Sequence, residues 1–249
     1  MEASGSQLNQ EKSGIDSKSL KKEDPNKMIK EELGMGHRPV PLRISNKLSK
    51  SICKITFINN ENQKIYGTGF FMLYKSLKCL ISVYHIINEN IKNKSIEIEI
   101  YNNNKKYNLE LKSRFIKFFK QPKDIAIVEI KESDGIKDVE YLNYDLNYKK
   151  GGYSRYKGME VLSLEYPLGK ELADGSGEII NIDGYEFEHN IHTEQGSSGS
   201  PIILFNLLNV IGIHKYGDLE KRINVGTFIG EIFDEIKNDL SEVNNEKKI

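Results

Sequence analysis

Between residues 51 and 228 the chain repeats one pattern: a short run of β-branched and aromatic residues, then a polar or glycine-bearing break. "SICKITFI", "GTGFFMLY", "KCLISVYHI", "KSIEIEIY", "KKYNLELK" and "DIAIVEI" come first. "GMEVLSLEYP", "GEIINIDGYEFEHNI", "SPIILFN", "NVIGIHKYG" and "RINVGTFI" follow a polar stretch. Each run has strand length and strand composition. Within "INIDGYEF", Asp183-Gly184 lies among alternating Ile180, Ile182, Tyr185 and Phe187, which spells a two-residue hairpin. A calcium loop would need an oxygen ligand where Ile179 stands. Only the end carries helical spacing: Ile229, Ile232, Phe233, Ile236 and Leu240 share one face. About a dozen strands and one terminal helix leave no material for βαβ crossovers. The expected fold class is all-β: two packed six-stranded antiparallel β-barrels with a C-terminal helix.

Residues 1–45 differ in character. They are rich in Ser, Lys, Glu and Asn and almost free of aromatic residues. Such a segment buries too little apolar surface to offset its ordering entropy, so a disordered tail is expected, with a short helix around "NKMIKEEL". Pro39 and Pro41 then favour an extended lead into a domain over residues 46–249. Lys+Arg 36 against Asp+Glu 36 gives no global attraction to nucleic acid or to a membrane surface. No run of about 18 apolar residues exists to span a bilayer. The opening "MEASGSQLNQEKSG" lacks the apolar centre of a signal peptide. Cys53 and Cys79 form no C-x-x-C pair and are too few for a stapled scaffold, so neither a zinc site nor any other metal is expected. These readings together point to a cytoplasmic location.

The chemistry gathers in "HTEQGSSGSPIIL", residues 192–204. Its bland reading is a surface turn before a buried strand. Its sharper reading is a nucleophile loop. A serine hydroxyl attacks a carbonyl only with a base beside it and an oxyanion site behind it. Ser198 has Gly196 two residues before it and Gly199 directly after. The N–H groups of Gly196 and Ser198 would face the developing negative charge. A base must come from His37, His85, His189, His192 or His214. His37 falls in the tail, and His189 and His192 read as members of a polar loop. His85 ends "CLISVYH", a strand-to-turn edge where a side chain can face a cleft; taken alone it reads more readily as a core or surface histidine. Asp124 opens the apolar run "DIAIVEI", where a carboxylate is either a solvated strand start or the buried partner of the base.

The order His, Asp, Ser, with "GTGFFM" before "LISVYHI", then "DIAIV", then "GSSGSP", resembles the chymotrypsin-like (trypsin-fold) serine proteases over roughly residues 52–240. The resemblance implies a double β-barrel with a catalytic triad in the cleft. His85 would be the general base, Asp124 its orienting acid and Ser198 the nucleophile. Trypsin has an aspartate directly before its nucleophile, which pairs with a new N-terminus; Ser197 stands there in this chain. Trypsin's specificity aspartate, six residues before the nucleophile, is replaced by His192. "NVIGIHKYG" is similar to the glutamyl-endopeptidase branch, in which a histidine of that strand and a hydroxyl residue five before the nucleophile bind an acidic side chain. His214 and Thr193 occupy those positions. The expectation is a cofactor-free serine endopeptidase acting on protein or peptide substrates, with no nucleic-acid or membrane partner and room for a regulatory one. The rival reading is a trypsin-fold binding or regulatory module without catalysis.

Overall fold

The structure, a computed structural model, describes residues 39–101, 105–218 and 223–236. The "NKMIKEEL" helix, His37 and Leu240 lie outside these residues, as does most of the segment read as a tail. Pro41, with φ −58° and ψ 131°, leads into helix α1, Leu42–Leu48. Leu48 is buried, and Val40 and Ile44 pack against the main core.

Two antiparallel β units follow. The first comprises β1 (Ile52–Ile58), β2 (Lys64–Tyr74), β3 (Leu77–Ser82), β4 (Ser95–Ile100), β5 (Lys105–Glu110), β6 (Ile116–Phe119) and β7 (Ile125–Glu129), in the order β5-β4-β1-β2-β3-β7-β6. The second is a closed barrel of β8 (Glu160–Glu165), β9 (Ala173–Asp183), β10 (Glu186–His189), β11 (Pro201–Leu204), β12 (Val210–Asp218) and β13 (Ile223–Phe228). The first unit has one strand more than expected. Its β6 is only four residues long, and the sequence reading passed over it although Ile116, Phe118 and Phe119 are apolar. The β9–β10 hairpin also differs by one residue. Asp183 pairs with Glu186, so the turn is Gly184-Tyr185, with Gly184 at φ +58°.

Each strand's burial follows its pattern. β4 alternates, with Ile96, Ile98 and Ile100 inside, whereas β7 is buried at every position. The connection between the units is laced to both. Leu142 donates its N–H to Phe71 O at 2.9 Å, and Val210 donates to Asn143 O at 2.8 Å. Helix α2, Ile229–Glu235, buries Ile229, Ile232 and Phe233, and Ile236 just beyond it, on the face foreseen from spacing. Phe233 stacks on Tyr74 with ring centroids 4.4 Å apart, and Tyr74 Oη donates to Phe233 O at 2.8 Å. Burial of each such side chain stabilises by roughly 1.5–3 kcal/mol, so a seven-residue helix too short to stand alone is held by its packing. Among the described residues no helix is long and apolar enough to cross a membrane.

Candidate active site

His85 lies beyond the end of β3. The strand stops at Ser82, and Ile86 and Ile87 both donate N–H to Val83 O, which turns the chain at the position of His85. Asp124 immediately precedes β7, is fully buried and has φ +58°. Its two carboxyl oxygens are both taken by one residue. Oδ1 accepts the His85 backbone N–H at 2.9 Å, and Oδ2 meets His85 Nδ1 at 2.7 Å. This forked contact fixes the ring's plane and places its proton on Nδ1. Nε2 is left as an acceptor, on a side chain 39% exposed.

Ser198 sits on residues 194–201, a loop tied down from both units. Ser197 N donates to Glu194 O and Ser200 N to Ser197 O, each at 3.0 Å. Gly196 and Gly199 take φ of +98° and +93°. Thr68 of β2, which the sequence reading passed over, clamps the loop from the first unit. Its N–H donates to Ser198 O at 2.9 Å and its hydroxyl to Gly196 O at 2.8 Å. Gly199 N donates to His214 O at 2.9 Å, anchoring the loop on β12. Ser198 Oγ donates to Lys215 O at 2.9 Å and not to the His85 ring. No backbone acceptor among the described residues takes the N–H of Gly196 or of Ser198. A Cβ on Gly199 would overlap Thr68 O and sit 2.5 Å from Ser82 Oγ, in a backbone region closed to L side chains. Gly199→Ala is therefore expected to cost on the order of 3 kcal/mol, lowering Tm by roughly 6–12 °C in thermal denaturation. An unchanged Tm would show that the loop seats differently.

The residues proposed for substrate selection lie beside this loop. Thr193 Oγ1 donates to Asn224 Oδ1 at 2.8 Å, and Asn224 Nδ2 donates to Ile191 O at 2.6 Å. His214 is 2% exposed on β12. His189 does not belong to a polar loop, as its flanking Glu188 and Asn190 suggested. It ends β10, is fully buried, and its Nε2 lies 3.2 Å from His214 Nδ1. Burial, with the His85 charge adding, pushes the His214 imidazole down to about 3. Burial, with His214 adding, also holds His189 well below the usual range. Both rings are therefore neutral near pH 7. One of the two facing nitrogens, His189 Nε2 or His214 Nδ1, donates to the other.

Glu165 lies under the same loop and was also missed. It ends β8, is 4% exposed, and its Oε2 meets no partner among the described residues. Burial pushes its carboxyl up to about 8; a hydrogen bond to Ser197 opposes this and the Glu194 charge adds to it. The proton is thus held by the folded state alone between the ordinary carboxyl range and about pH 8. The stabilisation from this group is complete below about pH 4.5 and is lost as pH rises towards 8, by on the order of 5 kcal/mol. Glu165→Gln is expected to flatten that slope in denaturant midpoints taken between about pH 5 and 8. Parallel slopes in both proteins would mean that Glu165 is ionised in the fold.

No family model matches the chain. Glutamyl endopeptidase of Staphylococcus epidermidis is 34% identical over 84 residues, a match spanning 32% of this chain and 29% of that relative's length. The active form of the Rv3671c protease from M. tuberculosis superposes with a TM-score of 0.62 at 17% identity, covering 81% of this chain and 87% of that one. The serine endoprotease from Yersinia pestis gives 0.60 at 13% identity, covering 81% and 67%. At these identities the likeness to the solved structures is one of fold. The chain has the chymotrypsin/trypsin fold.

Proposed function

We propose that the chain is a serine endopeptidase that cuts peptide bonds without a cofactor, through His85, Asp124 and Ser198. The observation that carries this reading is the forked contact of Asp124 with His85, made beside a glycine-bounded serine loop. Ser198 Oγ turns from the Lys215 carbonyl towards His85 Nε2 and gives up its proton there as it attacks the scissile carbonyl carbon. The carbonyl oxygen becomes an oxyanion received by the N–H groups of Gly196 and Ser198. The proton then passes from His85 to the leaving amine, the C–N bond breaks, and an acyl-Ser198 ester remains. A water, deprotonated by His85, releases the acid and restores the serine. Asp124 stays ionised and steadies the imidazolium.

For substrate choice, the reading assigns an acidic residue before the cut, received by Thr193 and His214. Free, buried thiols at Cys53 and Cys79 suit a reducing, intracellular setting. One observation favours the second reading, a non-catalytic module: the Ser198 hydroxyl rests on a carbonyl and not on the base. Fluorophosphonate labelling separates the two. The protease reading expects covalent modification at Ser198 that is abolished in His85→Ala. An unlabelled, folded protein would favour the module.

A further inference from the structure

Lys215 is an unusual neighbour for the nucleophile. The pairing of β12 with β13 slips between His214 and Tyr216, so Lys215 is the extra residue of a β-bulge. β12 is buried at every position from Val210 to Lys215, and Lys215, the last of these, is 1% exposed. Bulges of this kind re-aim a side chain and free a carbonyl from the ladder. The freed Lys215 carbonyl accepts the Ser198 hydroxyl at 2.9 Å. The re-aimed ammonium crosses to the first unit, donating to Pro122 O at 2.9 Å and pairing with Glu186. An ammonium this buried needs such partners to replace its lost hydration.

Pro122 lies two residues before Asp124. The next carbonyl, of Lys123, is also pinned to the second unit, by Thr227 Oγ1 at 2.9 Å. Asp124 itself has φ +58°, a conformation that persists in a non-glycine residue only when its surroundings over-determine it.

We propose that Lys215 is a positioning residue: its ammonium holds the Pro122 carbonyl so that Asp124 meets His85 with both oxygens, while its own carbonyl sets the resting rotamer of Ser198. The assignment rests on the reading of His85, Asp124 and Ser198 as the reacting groups. Glu186 supplies the counter-charge, and its side chain, 33% exposed, is free to turn to water when the ammonium is removed. Loss of the ammonium also removes the donor that holds Pro122 O, two residues before Asp124, and so falls on the Asp124 segment.

The test uses the full chain and its Lys215→Met and Lys215→Arg variants, with Tm taken on each. Turnover is measured on peptides, and exchange of the His85 Nδ1–H is followed by NMR of histidine-labelled protein, its signal assigned by its loss in His85→Ala. Lys215→Met is expected to lower kcat by about tenfold or more with KM within about twofold, because a small misplacement is felt in the reacting geometry. The same variant should exchange the Nδ1–H about tenfold faster, while Lys215→Arg retains both properties. Wild-type kcat and exchange in Lys215→Met would overturn the assignment. So would a rise in KM alone, which would place Lys215 in a substrate subsite. Should Lys215→Met not fold, Lys215→Gln carries the same two measurements. If the wild-type chain neither turns over peptides nor takes the fluorophosphonate, the protease reading fails, and the exchange measurement still decides the role of Lys215.

Discussion

Replacing Ser198 by alanine is expected to lower kcat by about 10⁴-fold or more, and adding His85→Ala to that variant should cost little further. The non-additivity follows from the arrangement: the base has no proton to take once the hydroxyl is gone. Asp124→Asn should approach the same loss while leaving the fold nearly intact. One oxygen of the amide would still accept from His85, but its NH₂ would confront the other donor. If it faces the ring, Nδ1 must accept and the proton moves to Nε2, where it blocks the base. Losses of about 10⁴ accompany that tautomer change in related triads. The measurement is peptide turnover normalised to folded protein, in preparations free of other proteases. Wild-type turnover in Ser198→Ala, or losses that multiply independently in the double variant, would defeat the assignment.

Peptides with Glu before the cut are expected to exceed those with Gln, Leu or Arg in kcat/KM, by up to about 10⁴ over the analogues that leave the pocket's polar groups unpaired. A buried carboxylate without partners is costly, so the pocket must supply donors. The candidates are the Thr193 hydroxyl, which would have to turn from Asn224 Oδ1 to the carboxylate, and the His214 ring. His214→Ala should therefore reduce cleavage after Glu more than cleavage after Leu. Burial pushes the His214 ring down to about 3. A bound carboxylate favours the protonated ring and raises that value, so protonated His214 binds Glu better at lower pH. KM for Glu peptides should rise with pH while KM for Gln peptides stays flat. If Arg or Leu peptides are cut best, Thr193 and His214 are structural, and the nucleophile assignment stands without them.

How far such a site is legible before folding depends on the range of the interactions that make it. The succession of strands was readable because β-branched alternation and turn residues act over a few positions, as in β4 and the β9–β10 hairpin. The face of α2 was readable for the same reason. The four residues of β6 were passed over although Ile116, Phe118 and Phe119 have strand composition, because so short a run is completed as a strand only by its pairing with β7. His189 was misread because its flanking Glu188 and Asn190 are polar, although alternation sends its own side chain inward.

By itself the sequence determined an all-β chain with a terminal helix and a loop whose glycines permit the turn around Ser198. Those are consequences of local sterics and of apolar spacing. Tertiary structure alone decided which groups meet. His85 and Asp124 are 39 residues apart, Lys215 and Pro122 are 93 apart, and Thr68 and Gly196 are 128 apart. No periodicity reaches across such separations. Packing also shifts the charge states: Glu165 and His214 carry ordinary side chains, and burial away from water, with neighbouring charges adding, pushes the first up towards holding its proton and the second down towards releasing it.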